Sequence, residues 1–264
     1  KHFGKKIYID NNGFRVPQKN YAYKSGKEGI FIIGDSTSFG NGVAEENIFI
    51  GKLRNNFKEL NFYNSSVPGY NFKHFQANIN QHENFNNIKK VFYFITLNDI
   101  YGGTSIIDLQ NNVEHQKLEH KNLSLKDVLI IKKINAFLRN KSYLYMFIKG
   151  IVTDPSERYF QNILSNYNKS NLNNMRVYVN ELKTKLNQKN IELKLFVLPY
   201  EYQTRNCSKK VLLPQTKIEK TLKELNVVFS DFTNDFCNHQ NPKSLYYKFD
   251  PMHLSVKGHL FVYN

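Results

Sequence analysis

The sequence has 264 residues and 41% of them are hydrophobic, which is enough for one sizeable globular domain or a domain with a large insertion. The formal net charge of +15 invites a nucleic-acid interpretation, but the lysines are spread along the chain. There is no arginine cluster and no alternating basic and aromatic stripe of the kind that single-strand binders use. We therefore expect no nucleic-acid partner; weak attraction to acidic glycans or anionic lipid surfaces stays open.

No apolar run approaches the roughly 18 residues that a membrane-spanning helix needs, so we expect no membrane span in this sequence. Residue 1 is Lys rather than Met, and we therefore expect the sequence to be a piece of a longer protein.

Residues 1–29 are predicted to form an N-terminal edge segment that lies against the main domain. A short strand is expected over residues 5–10, and the Asn11-Asn12-Gly13 sequence that follows is a strong turn signal. A polar linker then leads to the main domain, which we place at residues 30–264.

The main domain begins with a buried strand that ends in a polar turn. Four apolar residues, 30–33, are followed at once by Gly34-Asp35-Ser36, and a helical pattern begins near Ala44. A serine at the carboxyl end of a central strand is where open α/β folds present chemistry. The other interpretation is an ordinary βα turn whose serine caps a helix.

Strands and helices alternate after this turn. Residues 61–65 and 90–97 are predicted strands, and helices are expected over residues 44–60 and from Phe72 to about residue 85. Because residues 90–97 are continuously apolar, they fit a central parallel strand that is buried on both faces. Further strands at residues 192–198 and 227–229 complete a three-layer α/β sandwich with a central, mostly parallel five-stranded sheet of flavodoxin-like type.

Residues 102–171 interrupt this alternation and are predicted to be a helical insertion, either extra core helices or a lid over the strand ends. Near its end, Asp154 or Ser156 is a candidate helix cap, with Pro155 in the first turn. A helix is predicted over residues 171–190 and another over 214–225. Residues 231–249 are interpreted as a polar loop, and a last helix is expected over residues 256–263.

Four polar signatures follow strands or stand near the carboxyl terminus, and together they supply the parts that a serine nucleophile needs. Ser36 needs a neighbouring base, which His253 can provide, and Asp250 can hold that histidine in the right tautomer. The charge that develops on a carbonyl oxygen needs preorganised donors. The backbone N–H groups of Ser36 and Gly69 and the side-chain amide of Asn98 are the candidates.

These signatures, in this order, resemble the SGNH hydrolases, also called the GDSL esterase/lipase superfamily. The resemblance runs from residue 30 to residue 253. Its blocks match Gly34-Asp35-Ser36, Gly69, Asn98-Asp99 and Asp250-x-x-His253. The third block of the family usually begins with glycine, and Thr96 stands at that position here, which leaves the local backbone geometry open.

The resemblance implies a serine esterase that forms an acyl-enzyme with Ser36 and uses no cofactor. The segment around Gly13-Phe14-Arg15 is similar to bacterial members that act on cell-envelope carbohydrate, often on O-acetyl groups, so we expect a small-molecule or glycan acyl ester as substrate. Three alternatives stay open: an O-acetyltransferase on a cell-surface glycan, a lipid esterase or thioesterase, and a non-catalytic glycan-binding module.

Other polar residues of the expected site are assigned lesser roles. Asp35 and Asp99 are interpreted as supporting residues. Tyr200, Gln203 and Arg205 follow the fourth predicted strand and either contact substrate or are ordinary loop residues. No metal site is expected, because the five-residue spacing of His115 and His120 does not place two ligands on one helix face and no carboxylate–histidine metal pattern surrounds them.

The chain has two cysteines, Cys207 and Cys237, which either form one disulfide or remain buried thiols. We expect the disulfide, which the chain-entropy model values at roughly 3–4 kcal/mol. With the resemblance to cell-envelope enzymes, it favours an extracytoplasmic location in a bacterium, periplasmic or membrane-tethered; a cytoplasmic one stays open.

Overall fold

A computed structural model describes residues 4–82, 87–100, 133–134, 137–138, 141–145 and 154–264. Within them, seven strands form one sheet in the order β1-β2-β4-β3-β5-β6-β7. The strands are β1 (Tyr8–Ile9), β2 (Arg15–Val16), β3 (Gly29–Gly34), β4 (Asn61–Asn64), β5 (Ile88–Ile95), β6 (Glu192–Val197) and β7 (Val228–Asp231).

The mostly parallel sheet is confirmed, but its predicted size of five strands is wrong. The five strands from β4 to β7 in the sheet order pair in parallel, as predicted. Two further strands, β1 and β2, add to the β4 edge in antiparallel fashion. These strands come from the N-terminal segment, which therefore extends the sheet as well as lying against the domain.

Helices cover both faces of the sheet and make three layers. The α-helices are α1 (Ser36–Phe39), α2 (Phe49–Asn56), α3 (Phe72–His82), α4 (Pro155–Leu164), α5 (Lys169–Gln188), α6 (Glu201–Asn206), α7 (Leu213–Glu224), α8 (Thr233–Asn238) and α9 (Val256–Tyr263). Short 3-10 turns span Glu45–Asn47, Leu97–Ile100 and Pro242–Leu245.

Alternate side chains of β3 enter the two cores. Phe31 and Ile33 pack in the cluster that includes α3, α4, α5 and α7, whereas Ile30 and Ile32 pack with α2, α8 and α9. Because β3 is buried on both faces, its carboxyl end is held firmly between neighbouring strands, and Ser36 lies directly after it. In chain order the five parallel strands lie 2-1-3-4-5, so Ser36 is at the point where the chain switches sides.

After residue 153, helix α4 begins where the sequence predicted a helix cap. The carboxylate of Asp154 caps α4 by accepting hydrogen bonds from the N–H groups of Ser156 and Glu157, with Pro155 in the first turn. The prediction of a polar loop over residues 231–249 is wrong, because α8 and a 3-10 turn lie within it. Most of the predicted insertion at residues 102–171 lies outside the described residues, as do His115 and His120.

The expected disulfide is confirmed: Cys207 and Cys237 are bonded, with their Cα atoms 6.1 Å apart. It joins the end of α6 to α8, the helices that follow β6 and β7. In the described ranges, no helix combines the length and apolar character that crossing a membrane requires.

Candidate active site

Ser36 lies at the first position of α1, directly beyond the carboxyl end of β3. Gly34 makes this tight exit feasible, since a Cβ there would lie 2.1 Å from Ser38 Oγ and 3.0 Å from the Phe94 carbonyl oxygen. Asp35 Oδ1 caps the helix by accepting a hydrogen bond of 2.8 Å from the Thr37 N–H. The strand, the glycine and the cap together fix where the hydroxyl of Ser36 projects.

His253 joins Ser36 to Asp250 through its two ring nitrogens. Its Nε2 lies 2.8 Å from Ser36 Oγ, and its Nδ1 lies 2.8 Å from Asp250 Oδ2. The other oxygen of Asp250 accepts hydrogen bonds from the backbone N–H groups of Met252, at 3.0 Å, and His253, at 2.8 Å. The three-residue spacing therefore closes a loop around the carboxylate and aims the imidazole at Ser36.

The electrostatics of this pair shift the pKa values of the two side chains in opposite directions. Burial alone would raise the pKa of Asp250, but the hydrogen bond and charge of His253 and the two backbone N–H groups hold it below its ordinary value. Burial alone would lower the pKa of His253, yet the hydrogen bond and charge of Asp250, with the charge of Asp35, raise it above 6.5. Since ionised Asp250 can only accept a hydrogen bond, neutral His253 carries its proton on Nδ1. Its Nε2 then accepts a hydrogen bond from the Ser36 hydroxyl.

The side-chain amide of Asn98 is held at both ends. Its Nδ2 donates to Asp35 Oδ2 at 3.3 Å, and its Oδ1 accepts from the Tyr200 hydroxyl at 2.7 Å. Burial raises the pKa of Tyr200 well above its ordinary value, so the phenol keeps its proton and donates. A carboxylate at one end and a phenol donor at the other allow only one orientation of the amide. Its second N–H has no acceptor among the described residues.

Thr96, which stands where the family has glycine, contributes to the same network. Its Oγ1 lies 2.8 Å from Asp35 Oδ2 and 2.7 Å from Asn98 Oδ1. A hydroxyl has one proton, so it donates to one of these acceptors at a time. The extra side chain therefore adds a link between Asp35, the neighbour of Ser36, and Asn98.

Three N–H donors without an acceptor among the described residues follow three adjacent strands: those of Ser36 after β3 and Gly69 after β4, and the second N–H of Asn98 after β5. Within the described residues, neither backbone N–H has a hydrogen-bond acceptor. Gly69 sits in a turn with φ +84°, a conformation that favours glycine. The loop is joined to β3 by a 3.0 Å hydrogen bond from the Val67 N–H to the Gly34 carbonyl oxygen.

Asp99, the neighbour of Asn98 in sequence, is fully buried. Its Oδ2 accepts hydrogen bonds from the Tyr93 hydroxyl, at 3.2 Å, and the Thr96 N–H, at 3.1 Å. Burial, and then the charge of Asp35, raise the pKa of Asp99 well above its ordinary value. Asp99 therefore holds the turn that carries Asn98 and does not reach Ser36 or His253.

The three residues after β6 have different surroundings. Tyr200 contacts Asn98, as described above. Gln203 is fully buried, and its side chain forms hydrogen bonds with the Tyr200 N–H, the Val211 carbonyl oxygen and the Gln215 side chain. It therefore cannot reach a bound substrate. Arg205 is partly exposed, and its guanidinium contacts Asp154 at 2.5 Å and Glu201 at 3.0 Å.

Two further residues adjoin the site, and no local sequence pattern indicates either of them. Asn41 is buried, and its Nδ2 lies 3.5 Å from His253 Nε2. Tyr159 on α4 packs beside Tyr200, with ring centroids 5.6 Å apart. Burial, with the charges of Asp35 and Asp250, raises the pKa of Tyr159 to about 12. Both positions depend on tertiary contacts rather than on a local pattern.

Throughout the part of the chain that the structure describes, no group of three or more His, Cys, Asp and Glu side chains is arranged to hold a metal ion.

Comparison with known proteins supports the fold. No protein-family model matches the sequence, and no curated protein does. Among solved structures, the chain is similar to the acetyl xylan esterase AlAXEase (14% identity, TM-score 0.52, covering 89% of this chain and 96% of that one). It is also similar to a catalytic mutant of Axe2, an acetylxylan esterase from Geobacillus stearothermophilus (13%, 0.51, 91% and 92%), and to TesA (9%, 0.51, 89% and 94%).

At these identities the similarity is one of fold. The chain shares the mostly parallel α/β fold of these two esterases and of TesA, which confirms the fold that the resemblance implies.

Proposed function

We propose that the protein is a serine ester hydrolase in which Ser36 is the nucleophile, His253 the general base and Asp250 the orienting carboxylate. The observation that carries this proposal is the continuous chain of contacts from Asp250 Oδ2 through the imidazole to Ser36 Oγ, with 2.8 Å at each step. This arrangement activates a hydroxyl that is otherwise a weak nucleophile at neutral pH.

In the first half-reaction, Ser36 Oγ bonds to the acyl carbon while its proton passes to His253 Nε2. The carbonyl double bond opens, and the oxygen takes up the electron pair as an oxyanion. When the oxyanion collapses, the alcohol oxygen leaves with the proton from Nε2, and an acyl ester remains on Ser36. Asp250 stabilises the imidazolium between these two transfers by accepting from Nδ1–H.

In the second half-reaction, water attacks the acyl carbon and gives a proton to Nε2. Collapse then releases the carboxylic acid, and Ser36 Oγ regains its proton. A sugar hydroxyl in place of water would receive the acyl group instead, which is the O-acetyltransferase alternative. The two outcomes share every residue assigned above.

The oxyanion is assigned to the N–H groups of Ser36 and Gly69 and the free N–H of Asn98. They follow three adjacent strands, and the two backbone groups have no acceptor within the described residues. Donors fixed before the reaction cost no reorganisation when the charge develops. The contacts of Asn98 with Asp35 and Tyr200 support such preorganisation.

The substrate class that we propose is a short acyl ester, an O-acetyl group on carbohydrate. Two of the structurally similar proteins are acetyl xylan esterases. The Gly13-Phe14-Arg15 segment, similar to that of envelope-acting members, points the same way. The Cys207–Cys237 disulfide supports an extracytoplasmic location, since such bonds persist in oxidising compartments.

The test compares wild type with Ser36→Ala on p-nitrophenyl acetate, butyrate and decanoate. We expect acetate to be turned over best and the variant to lose at least about 10³-fold in kcat. Ser38→Ala is the matched control, because Ser38 is a buried serine in the same helix whose Oγ faces Asp35 O. Equal hydrolysis by wild type and Ser36→Ala would refute the nucleophile, and hydrolysis of decanoate alone would refute the short-acyl class.

A further inference from the structure

A groove of about 730 Å³ adjoins the proposed site on the side of Asp250. Its walls come from the start of α4, from α6 and from residues 241–250, and they include Asp154, Arg205, Lys243, Lys248, Phe249 and Asp250. The volume lies within the range of small-ligand sites. Asp250, which lines the groove, contacts His253, and His253 contacts Ser36. The side chain of His253 therefore lies between the groove and Ser36 Oγ.

Phe249 lines this groove, and its backbone adopts an unfavourable left-handed conformation. Its φ is +65°, a conformation that is rare for a bulky side chain, and the residue is 67% exposed. Such strain persists where the surroundings impose it and is concentrated at functional sites. The Lys248 ammonium lies 5.0 Å from the ring centroid and covers one face, which leaves the other face for a ligand.

The charges that line the groove balance. Asp154, Glu201 and Asp250 are opposed by Arg205, Lys243 and Lys248. Arg205 pairs with Asp154 and Glu201, and Asp250 pairs with His253. Lys243 and Lys248 are exposed and form no ion pair in the described part of the chain, so they remain free to donate.

A neutral sugar chain matches these features. A pyranose ring has an apolar face of C–H groups that packs on an aromatic ring, and a rim of hydroxyls that both donate and accept hydrogen bonds. The lining has three acidic and three basic side chains and so no net charge that would favour a polyanion, and charged donors and acceptors around one exposed ring suit a neutral sugar.

We propose that this groove binds a neutral pyranose chain, namely the sugar units adjacent to the unit that carries the ester, with Phe249 as the stacking platform. The proposal rests on the proposed esterase function for its biological meaning, but binding can be measured without catalysis. A sugar in the groove does not contact Ser36; it anchors the neighbouring units.

The first test measures binding of deacetylated xylohexaose to Ser36→Ala by isothermal titration calorimetry. We expect binding that weakens by about 5- to 10-fold when Phe249→Leu is added, because leucine keeps the apolar bulk but lacks a ring face. Phe249→Tyr should bind as the parent does. Phe57→Leu is the matched control, since Phe57 is another exposed phenylalanine and does not line the groove.

The second test compares kcat/KM for acetylated xylohexaose with that for p-nitrophenyl acetate. Phe249→Leu should lower the first by a similar factor and leave the second unchanged. Equal losses on both substrates would mean that Phe249 acts through the Asp250 loop, and no change in binding or turnover would refute the stacking role. Binding of hexagalacturonic acid but not xylohexaose would overturn the neutral class.

The two proposals fail in different ways. If wild type hydrolyses p-nitrophenyl acetate through Ser36 but neither binds nor deacetylates the xylohexaose probes, the groove proposal is wrong and the esterase stands. If Ser36→Ala is as active as wild type while xylohexaose binding depends on Phe249, the groove stands and the catalytic assignment is wrong.

Discussion

Two groups of charged side chains flank the turn that carries Ser36, and they differ in how completely their hydrogen-bonding capacity is used. Arg15, Glu45 and Arg54 form one group and are buried. Asp250 and His253 form the other, with side chains that are 28% and 21% exposed. Both groups contain close ion pairs, so the presence of charge does not separate them.

In the buried group every guanidinium nitrogen has an acceptor. Arg15 contacts Glu45 and donates to the carbonyl oxygens of Phe39, Gly40 and Val43, which belong to the loop beyond Ser36. Arg54 contacts the other oxygen of Glu45. The cluster thus joins the N-terminal strands to the segment that follows Ser36 and leaves no guanidinium nitrogen for a ligand.

In the Asp250–His253 pair, one ring nitrogen faces the Ser36 side chain rather than the backbone. His253 Nε2 is bonded to the Ser36 hydroxyl, whose proton it can take, and the pair is open to solvent on one side. We infer that the saturated, buried charges stabilise the fold, whereas the partly exposed pair serves the proposed chemistry. This contrast predicts that substitutions in the two groups separate stability from activity.

Asp250→Asn is expected to have the largest effect on activity. The amide cannot stabilise the imidazolium, and its NH₂ favours the wrong tautomer of His253, so kcat on p-nitrophenyl acetate should fall by about 10³- to 10⁴-fold. The urea midpoint of unfolding should change little in comparison. Asp235→Asn, on an exposed acid of α8, is the control. Less than a tenfold loss in Asp250→Asn would exclude the orienting role.

The pH profile of the same variant is a second measurement. The proposed mechanism needs neutral His253, whose pKa Asp250 helps raise above 6.5, so wild-type kcat/KM should increase as pH rises through that raised value. Asp250→Asn should move this acid limb to lower pH.

The pH dependence of stability has the opposite sign. The raised pKa of His253 stabilises the fold below about pH 6.5, and this contribution is lost as pH rises through the folded-state pKa of His253.

Arg15→Met is expected to have the largest effect on stability. It removes one partner of buried Glu45 and the hydrogen bonds of Arg15 to three carbonyl oxygens, so the free energy of unfolding should fall by about 3–5 kcal/mol. Urea unfolding measures this, with Lys90→Met as the matched control. The Lys90–Glu192 pair is exposed and should contribute less than about 1 kcal/mol. A normal unfolding curve combined with lost activity would contradict the assignment of this cluster to folding.

The sequence predicted what is encoded locally. The apolar run before Gly34, the Asp250-x-x-His253 spacing and the proline-led start of α4 each specify a conformation within a few residues. The parallel sheet follows from the alternation of such segments. The site blocks could be predicted because each lies directly beyond a strand or within one short loop.

The remaining features depend on contacts between distant residues. β1 lies within the strand predicted over residues 5–10, whereas β2 has two residues, too few for a periodic signal, and is stabilised through pairing with β1 and β4. Helix α8 reads as polar sequence, yet its Phe236 is buried in the core. The contact of Tyr200 with Asn98 spans 102 positions, and no single-sequence pattern indicates it.

Tyr200→Phe tests that long-range contact and is expected to have the smallest effect. The variant removes one donor to Asn98 Oδ1 but keeps Thr96 and Asp35 in place, so the amide is held less firmly without being lost. We expect kcat on p-nitrophenyl acetate to fall about tenfold, the value of one hydrogen bond, with KM nearly unchanged because the loss is felt at the oxyanion. Tyr167→Phe is the matched control, since its buried hydroxyl donates to the Leu97 carbonyl oxygen rather than to the amide. A similar fall in both variants would mean that the 3-10 turn, not the amide, is what Tyr200 supports, and a rise in KM alone would place Tyr200 in substrate binding.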